Sequence, residues 1–267
     1  MRVKELALTL LLPLVAPSGG AAPAACESGA VANSGAASTT IVELYTSEGC
    51  DSCPPVDAWF ATLRYPRDGV VPLAFHVDYW DYIGWKDRFA KPAYAQRQRD
   101  AVTRQGSRTT YTPQLMLDGR DLRAGSYPSR FQSRVREVAA RAPRAGLALD
   151  VKNSRDRIEV TLNATFVLPA ERADAAVFIA VTEDNLASRV TAGENKGALL
   201  KHDHVVRDLS GPLAVEYQDR VAGSFTVRRT IALPPDWKRS DLTLVAFMQN
   251  VRTGEVLQAV SSPICPG

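Results

Sequence analysis

The sequence predicts an α/β domain followed by an all-β, sandwich-like domain. Three observations carry that prediction. The chain has 267 residues, long for one core. Strand-like and helix-like segments alternate as far as Pro143, and beyond Arg144 only short β-rich runs remain. At 45% hydrophobic and 23% charged residues, the composition is that of a packed protein and excludes a disordered or collagen-like chain.

The amino terminus has Arg2 and Lys4, an apolar run from Leu6 to Ala16 broken by Pro13, and small residues from Ser18 to Ala25. This predicts a signal peptide over residues 1–24, cleaved after Ala22-Pro23-Ala24, and hence a periplasmic or secreted protein. Lipoprotein anchoring at Cys26 fits less well, because Pro23-Ala24-Ala25 lacks a large aliphatic residue three places before the cysteine. No later segment reaches the roughly 20 apolar residues of a spanning helix, so no membrane span is expected. The 32 Lys plus Arg against 29 Asp plus Glu leave a net charge of +3, with the basic residues scattered, which gives nucleic-acid binding no support.

Residues 25–39 read as a Gly, Ala and Ser-rich linker. Ile41 to Tyr45 is β-favouring and runs into the turn Thr46-Ser47-Glu48-Gly49. A helix is expected to start at Cys50 and Cys53, because Pro54 and Pro55 fit only a first turn and Val56, Phe60 and Leu63 recur at helical spacing. Val70 to Val77 has the continuous apolar character of a central strand. A helical insertion at 78–106 follows, with its helix over Pro92 to Gln105. Gln114 to Leu117 and Leu122 to Ala124 flank the hairpin signal Asp118-Gly119. Phe131, Val135, Val138 and Ala142 mark a closing helix that stops at Pro143. This is the element order of a thioredoxin-like domain, placed at 40–143. Beyond it, at 145–265, Leu147 to Val151, Ile158 to Leu168, Ala175 to Thr182, Val205 to Leu209, Phe225 to Leu233, Leu242 to Gln249 and Val256 to Val260 predict a β-sandwich-like domain.

Export would place the four cysteines where disulfides persist. Cys50 and Cys53 are close enough to pair, forming a redox-active disulfide that needs no other cofactor. By elimination Cys26 and Cys265 would form a structural disulfide between the termini; the alternative is two unpaired thiols in the tails. At a helix amino terminus a sulfur is stabilised as thiolate, which assigns the nucleophile to Cys50 and the resolving thiol to Cys53. A lone Cys-X-X-Cys is also half of a zinc site, but no second pair exists, and no metal is expected.

Other residues are read around this pair. Thr112-Pro113 precedes the third strand, where thioredoxin-like proteins carry a cis proline against the cysteines, and its Thr112 backbone would be free to pair with a substrate peptide. Glu43 lies seven residues before Cys50, close to the position of a buried acid in such proteins, and pointing inward it would serve Cys53 as general acid and base. Pointing outward it is a solvated charge. Glu48 and Asp51 put negative charge beside Cys50, which disfavours a thiolate and inclines the pair towards reductant or isomerase behaviour. With Ser52 they form the near side of a substrate-binding surface.

The stretches VELYTSEGCDSCPP, FHVDYWDYIGWKDRF, YTPQLMLDGR and GENKGALLKHDHVVR, in that order and spacing, resemble the secreted proteins grouped as domain of unknown function 1223. The resemblance implies a thioredoxin-like fold with a β-rich carboxy-terminal part, and no substrate. His76, Asp78, Tyr79, Trp80 and Asp81, with Trp85, Lys86 and Asp87, match its second motif. His76, Asp78 and Trp80, with Tyr111, would form a partner-binding or proton-handling wall of the site; alternatively the Trp rings fill the core. His202 and His204 alternate around Asp203, so on one strand both rings would share a face.

The expected function is an exported thiol–disulfide oxidoreductase acting on protein or small-molecule disulfides. Its partners would be protein thiols or disulfides and a redox partner. The alternative is a non-catalytic binding module in which the cysteines are metal ligands or a static disulfide.

Overall fold

The computed structural model describes residues 31–65, 68–123, 129–167, 169–213, 217–219 and 223–264. The expected signal peptide, Cys26 and Cys265 lie outside the described residues. No helix among the described residues is long and apolar enough to cross a membrane.

In chain order the first half holds strands β1 (Ala32–Asn33) and β2 (Thr40–Thr46), helix α1 (Pro54–Phe60), strand β3 (Val70–His76), helix α2 (Pro92–Arg104), strands β4 (Gln114–Leu117) and β5 (Arg120–Asp121), and helix α3 (Ser129–Ala139). The second half is all strand: β6 (Ala145–Asn153), β7 (Arg157–Phe166), β8 (Ala175–Glu183), β9 (Leu186–Arg189), β10 (Leu199–His202), β11 (Val205–Leu213), β12 (Tyr217–Asp219), β13 (Ser224–Ala232), β14 (Leu242–Asn250) and β15 (Val256–Pro263). Short 3-10 turns interrupt the loops at Asp81–Ile83, Pro169–Arg172 and Arg239–Asp241. The hairpin β9–β10, whose strands are four residues each, carried no signal that periodicity could detect.

Local chemistry explains the elements that bound the cysteines. β2 and β3 are buried at every position, which suits their largely apolar character and their parallel pairing from Thr40–Val70 to Thr46–His76. α1 takes its start from Pro54 and Pro55 in the first turn, with Cys53 at the N-cap. It therefore begins four residues later than the position of Cys50, which sits in the preceding turn, with its amide donating to the Ser47 carbonyl.

The sheet topology overturns the expected fold class. Strands from both sides of residue 144 join one eight-stranded mixed sheet in the order β15-β14-β8-β11-β3-β2-β4-β5. β11 lies parallel to β3, with Val205 opposite Ala74, and the Ala74 amide donates to the His204 carbonyl at 2.8 Å. The molecule is thus mostly β and does not hold an α/β thioredoxin-like domain followed by a sandwich. The physical reason is the free edge of β3, whose backbone groups need partners, and the second half supplies them.

Three cores follow from this sheet. On one face α2, through Tyr94, Ala95, Ala101 and Val102, covers Ile41, Tyr45, Leu73 and Phe75 together with Phe178, Val206 and Phe247. On the opposite face, α1 and α3 cover the β2–β3–β4 end through Phe60, Leu63, Phe131 and Val135. The β8–β14–β15 end of that face packs on a second sheet, ordered β1-β6-β7-β13-β12, through Leu149, Leu162, Ile179 and Leu244. That second contact is the sandwich-like part.

Candidate functional site

Cys50 and Cys53 form a disulfide, with their Cα atoms 5.5 Å apart, in the turn between β2 and α1. The turn is tight: the Cys53 amide donates to the Cys50 carbonyl at 3.3 Å, and the Val56 and Asp57 amides donate to the Cys53 carbonyl at 2.9 and 3.0 Å. Gly49 is closely packed, since a Cβ there would stand 3.0 Å from the Trp80 Cβ. Both cysteines are 0% exposed, whereas Asp51 and Ser52 between them are exposed. The Ser52 hydroxyl is 3.4 Å from Cys50 Sγ.

On the α1 face of the sheet, at the carboxyl ends of β2 and β3, the chain gathers a cluster of ionisable groups. Side chains of Thr46 and His76 project to this face because they share parity with Leu44 and Ala74, while Glu43 and Tyr45 project to the other. His76 Nδ1 is 2.6 Å from Asp87 Oδ2, and that same oxygen accepts the Glu48 amide at 2.9 Å. Glu48 accepts from Trp85 Nε1 at 2.8 Å and pairs with His202 Nε2 at 3.2 Å. Thr46 donates its hydroxyl to Asp57 at 2.7 Å, and Thr46, Asp57, His76 and His202 line a cavity of about 10 Å³. His76 Nε2 is buried there without a hydrogen-bond partner.

Each carboxyl in the cluster is tuned differently. Burial pushes the Asp57 carboxyl above its ordinary value, and Asp87 adds to this, against attraction from His202 and His76. Asp57 retains some accessible surface, yet enough protein atoms surround its carboxyl to desolvate it. Burial also opposes charge on Glu48 and Asp87, but hydrogen bonds from His202, Ser188 and Trp85 hold Glu48 below the usual range. The His76 imidazole, helped by the Glu48 and Phe89 amides, does the same for Asp87. Burial disfavours the charged His76 ring, and Asp87 outweighs this, so its pKa is raised. Two carboxylates are therefore held as anions by imidazole and indole partners, whereas burial favours the neutral form of Asp57.

The residues singled out from sequence divide clearly. Cys50, Cys53, Ser52, Glu48 and Trp80 surround one turn. The Thr112–Pro113 bond is cis, and Thr112 Oγ1 accepts from Trp80 Nε1 at 2.8 Å, which ties that loop to the Trp80 that backs Gly49. Glu48 is fully buried and paired, so it is no solvent-screened charge and no substrate-facing group. His76 is likewise interior, and Asp78 caps the 3-10 turn by accepting the Asp81 amide at its carbonyl. Tyr111 turns its hydroxyl to Asp121 at 2.9 Å, in a separate depression lined by Ser107, Thr109 and Arg123.

Glu43 does not belong to the disulfide site. It faces α2, where Oε1 meets Arg97 Nε at 2.6 Å, and the Arg97 guanidinium lies 4.9 Å from the Phe178 ring. His202 and His204 do not share a strand face either. His202 ends β10, whereas His204 has φ +59° in the following turn and its Nε2 lies 3.1 Å from the Leu63 carbonyl oxygen.

Sequence reasoning missed Asp57, although its spacing of four from Cys53 on a helix places the two on one face. It also missed the pairing of Asp87 with His76 and of His202 with Glu48, for which sequence offers no signal. Among the described residues, no group of three or more His, Cys, Asp or Glu is arranged to hold a metal ion.

A family profile described as "Protein of unknown function (DUF1223)" matches residues 41–249, a span that contains the disulfide turn, the ionisable cluster and the β9–β10 hairpin. The chain belongs to this family. No curated protein matches the chain. Among solved structures, it is similar to a protein of Agrobacterium tumefaciens, at 23% identity over 83% of this chain and 91% of that one, with a TM-score of 0.53. It is also similar to HBP35 of Porphyromonas gingivalis, at 17% identity over 86% of this chain and 76% of that one, with a TM-score of 0.66. At these identities the likeness is one of fold alone. For a member of DUF1223, what can be said of activity rests on the geometry of the turn.

Proposed function

We propose that this DUF1223 protein is an exported thiol–disulfide oxidoreductase whose redox group is the Cys50–Cys53 disulfide. The observation that carries this reading is the formed disulfide in a strand-to-helix turn, with Asp57 one helical turn beyond Cys53 and desolvated.

In the reducing direction, the Cys50 thiolate attacks a substrate disulfide, forming a Cys50 mixed disulfide and expelling one substrate thiolate. Cys53 then gives its proton to the Asp57 carboxylate and attacks Cys50 Sγ. The mixed disulfide breaks, the second substrate thiolate leaves, and the Cys50–Cys53 bond forms. A dithiol partner returns the pair to the reduced state by the same steps reversed. The substrates are protein or small-molecule disulfides, and an oxidising compartment such as the periplasm suits a disulfide that must persist between turnovers.

A static structural disulfide is the second reading, favoured by the complete burial of both cysteines. Titration of the pair in glutathione redox buffers, with insulin-disulfide reduction by wild type and Cys50→Ser, separates the two. Equilibration at a measurable potential and activity lost in the variant support the redox reading. A midpoint below about −300 mV with no insulin reduction makes the disulfide a staple and sinks the proposal.

A further inference from the structure

A segment distant in sequence is hydrogen-bonded to the backbone of the disulfide turn. The hairpin β9–β10 reaches across from the second half, and its tip, residues 193–195, lies between that turn and the loop carrying Ile83 and Trp85. Asn195 Nδ2 donates to the Glu48 and Cys50 carbonyl oxygens, both at 2.9 Å. Glu194 Oε2 accepts the Asp51 amide at 3.1 Å. Gly193 has φ +73°, which strains any residue with a side chain, and a Cβ on it would stand a tight 3.0 Å from Ile83 Cδ1.

The hairpin's base is anchored independently. His202 meets Glu48, and Arg88 donates to the Ser188 hydroxyl at 3.2 Å and to the Ala187 carbonyl at 2.9 Å. Anchored base and separately fastened tip make the tip the part that can lift while the hairpin stays in place.

Attack on a disulfide needs the incoming sulfur in line with the S–S bond, and with both cysteines at 0% exposure no reagent reaches that line. We propose that the hairpin tip governs which thiols and disulfides reach Cys50, and that Asn195 is the positioning residue that holds the tip closed. The inference rests on the redox reading for its biological meaning, but the gating itself is a property of the disulfide and is measured without any substrate protein.

The measurement is the rate at which dithiothreitol reduces the oxidised full-length protein. One dithiothreitol thiolate attacks Cys50 Sγ and Cys53 leaves as a thiolate that takes a proton; the second thiol closes the dithiothreitol ring and releases Cys50. Asn195→Ala removes both donated hydrogen bonds, and Gly193→Ala strains the tip backbone and crowds Ile83 without altering a residue of the disulfide turn. Both variants should be reduced about tenfold faster or more, with the urea dependence of the rate remaining as shallow as in wild type. Asn195→Asp, equal in shape but without the donor, should match Asn195→Ala. Rates equal to wild type in folded Asn195→Ala and Gly193→Ala overturn the proposal. A rise that tracks global unfolding, with a steep urea dependence, overturns it as well. Faster reduction in the variants with no insulin activity in any form leaves the gate standing and removes the oxidoreductase reading.

Discussion

In the proposed exchange cycle, Asp57 is the residue that takes the proton of Cys53. Because its folded-state pKa lies above the unfolded value near 3.8, the folded protein binds more protons than the unfolded one between those two values. Stability contributed at this site therefore falls as pH rises through that window and stays reduced above it. Asp57→Asn removes the effect, so the variant should be more stable than wild type at pH 7 and equal to it in acid, read from urea midpoints across pH. In the proposed mechanism the same substitution also removes the base for Cys53. Resolution of a Cys50 mixed disulfide at pH 7 should slow on the order of 10²-fold, the deficit narrowing as pH approaches the intrinsic thiol value near 8.5. A resolution rate unchanged at pH 7 would remove Asp57 from the mechanism. The His76–Asp87 pair behaves with opposite limits: Asp87 supplies stability that is lost as pH falls towards its depressed pKa, and His76 supplies stability that is lost as pH rises through its raised one.

Among elements, β2 shows how alternation separates two jobs. Thr46 faces α1 and reaches Asp57, whereas Glu43 faces α2 and neutralises an Arg97 enclosed by the Phe75, Phe178 and Phe247 rings. Replacing Glu43 by Gln leaves that guanidinium buried without its counter-charge, which should destabilise the protein by about 3–5 kcal/mol in urea unfolding. Disulfide exchange at a temperature where the variant is folded should be unaffected. A large loss of exchange with little loss of stability would restore Glu43 to the active site. The seven-residue span between Glu43 and Cys50 suggested a catalytic acid, but sequence distance does not carry the parity that decides the face. On α1, by contrast, helical spacing did contain the information, since Asp57 lies four residues from Cys53.

Across the whole molecule, the shared sheet makes the two halves interdependent. Residues 40–143 alone would leave the β3 edge open where β11 pairs with it, and the α2 core would lack Phe178, Val206 and Phe247. The 40–143 fragment should therefore show no cooperative unfolding, and the full chain should unfold in a single transition by far-ultraviolet circular dichroism. A fragment melting cooperatively near the full-length midpoint would restore an autonomous first domain. The same interdependence brings Asn195 and His202 to a turn some 150 residues earlier in the chain.

Local chemistry was decided by the sequence alone. The prolines after Cys53 start α1, largely apolar runs make β2 and β3 buried strands, Thr112-Pro113 precedes β4, and the motif stretches identify the family. These depend on neighbours within a few residues, where propensity and spacing act directly. Tertiary structure decided the joining of both halves in one sheet, the turning of Glu43 away from the cysteines, the pairing of His76 with Asp87 and of His202 with Glu48, and the fastening of the hairpin tip to the disulfide turn. Each of these depends on which distant groups satisfy a strand edge, a buried charge or a pair of carbonyls, and no local pattern in the chain encodes that choice.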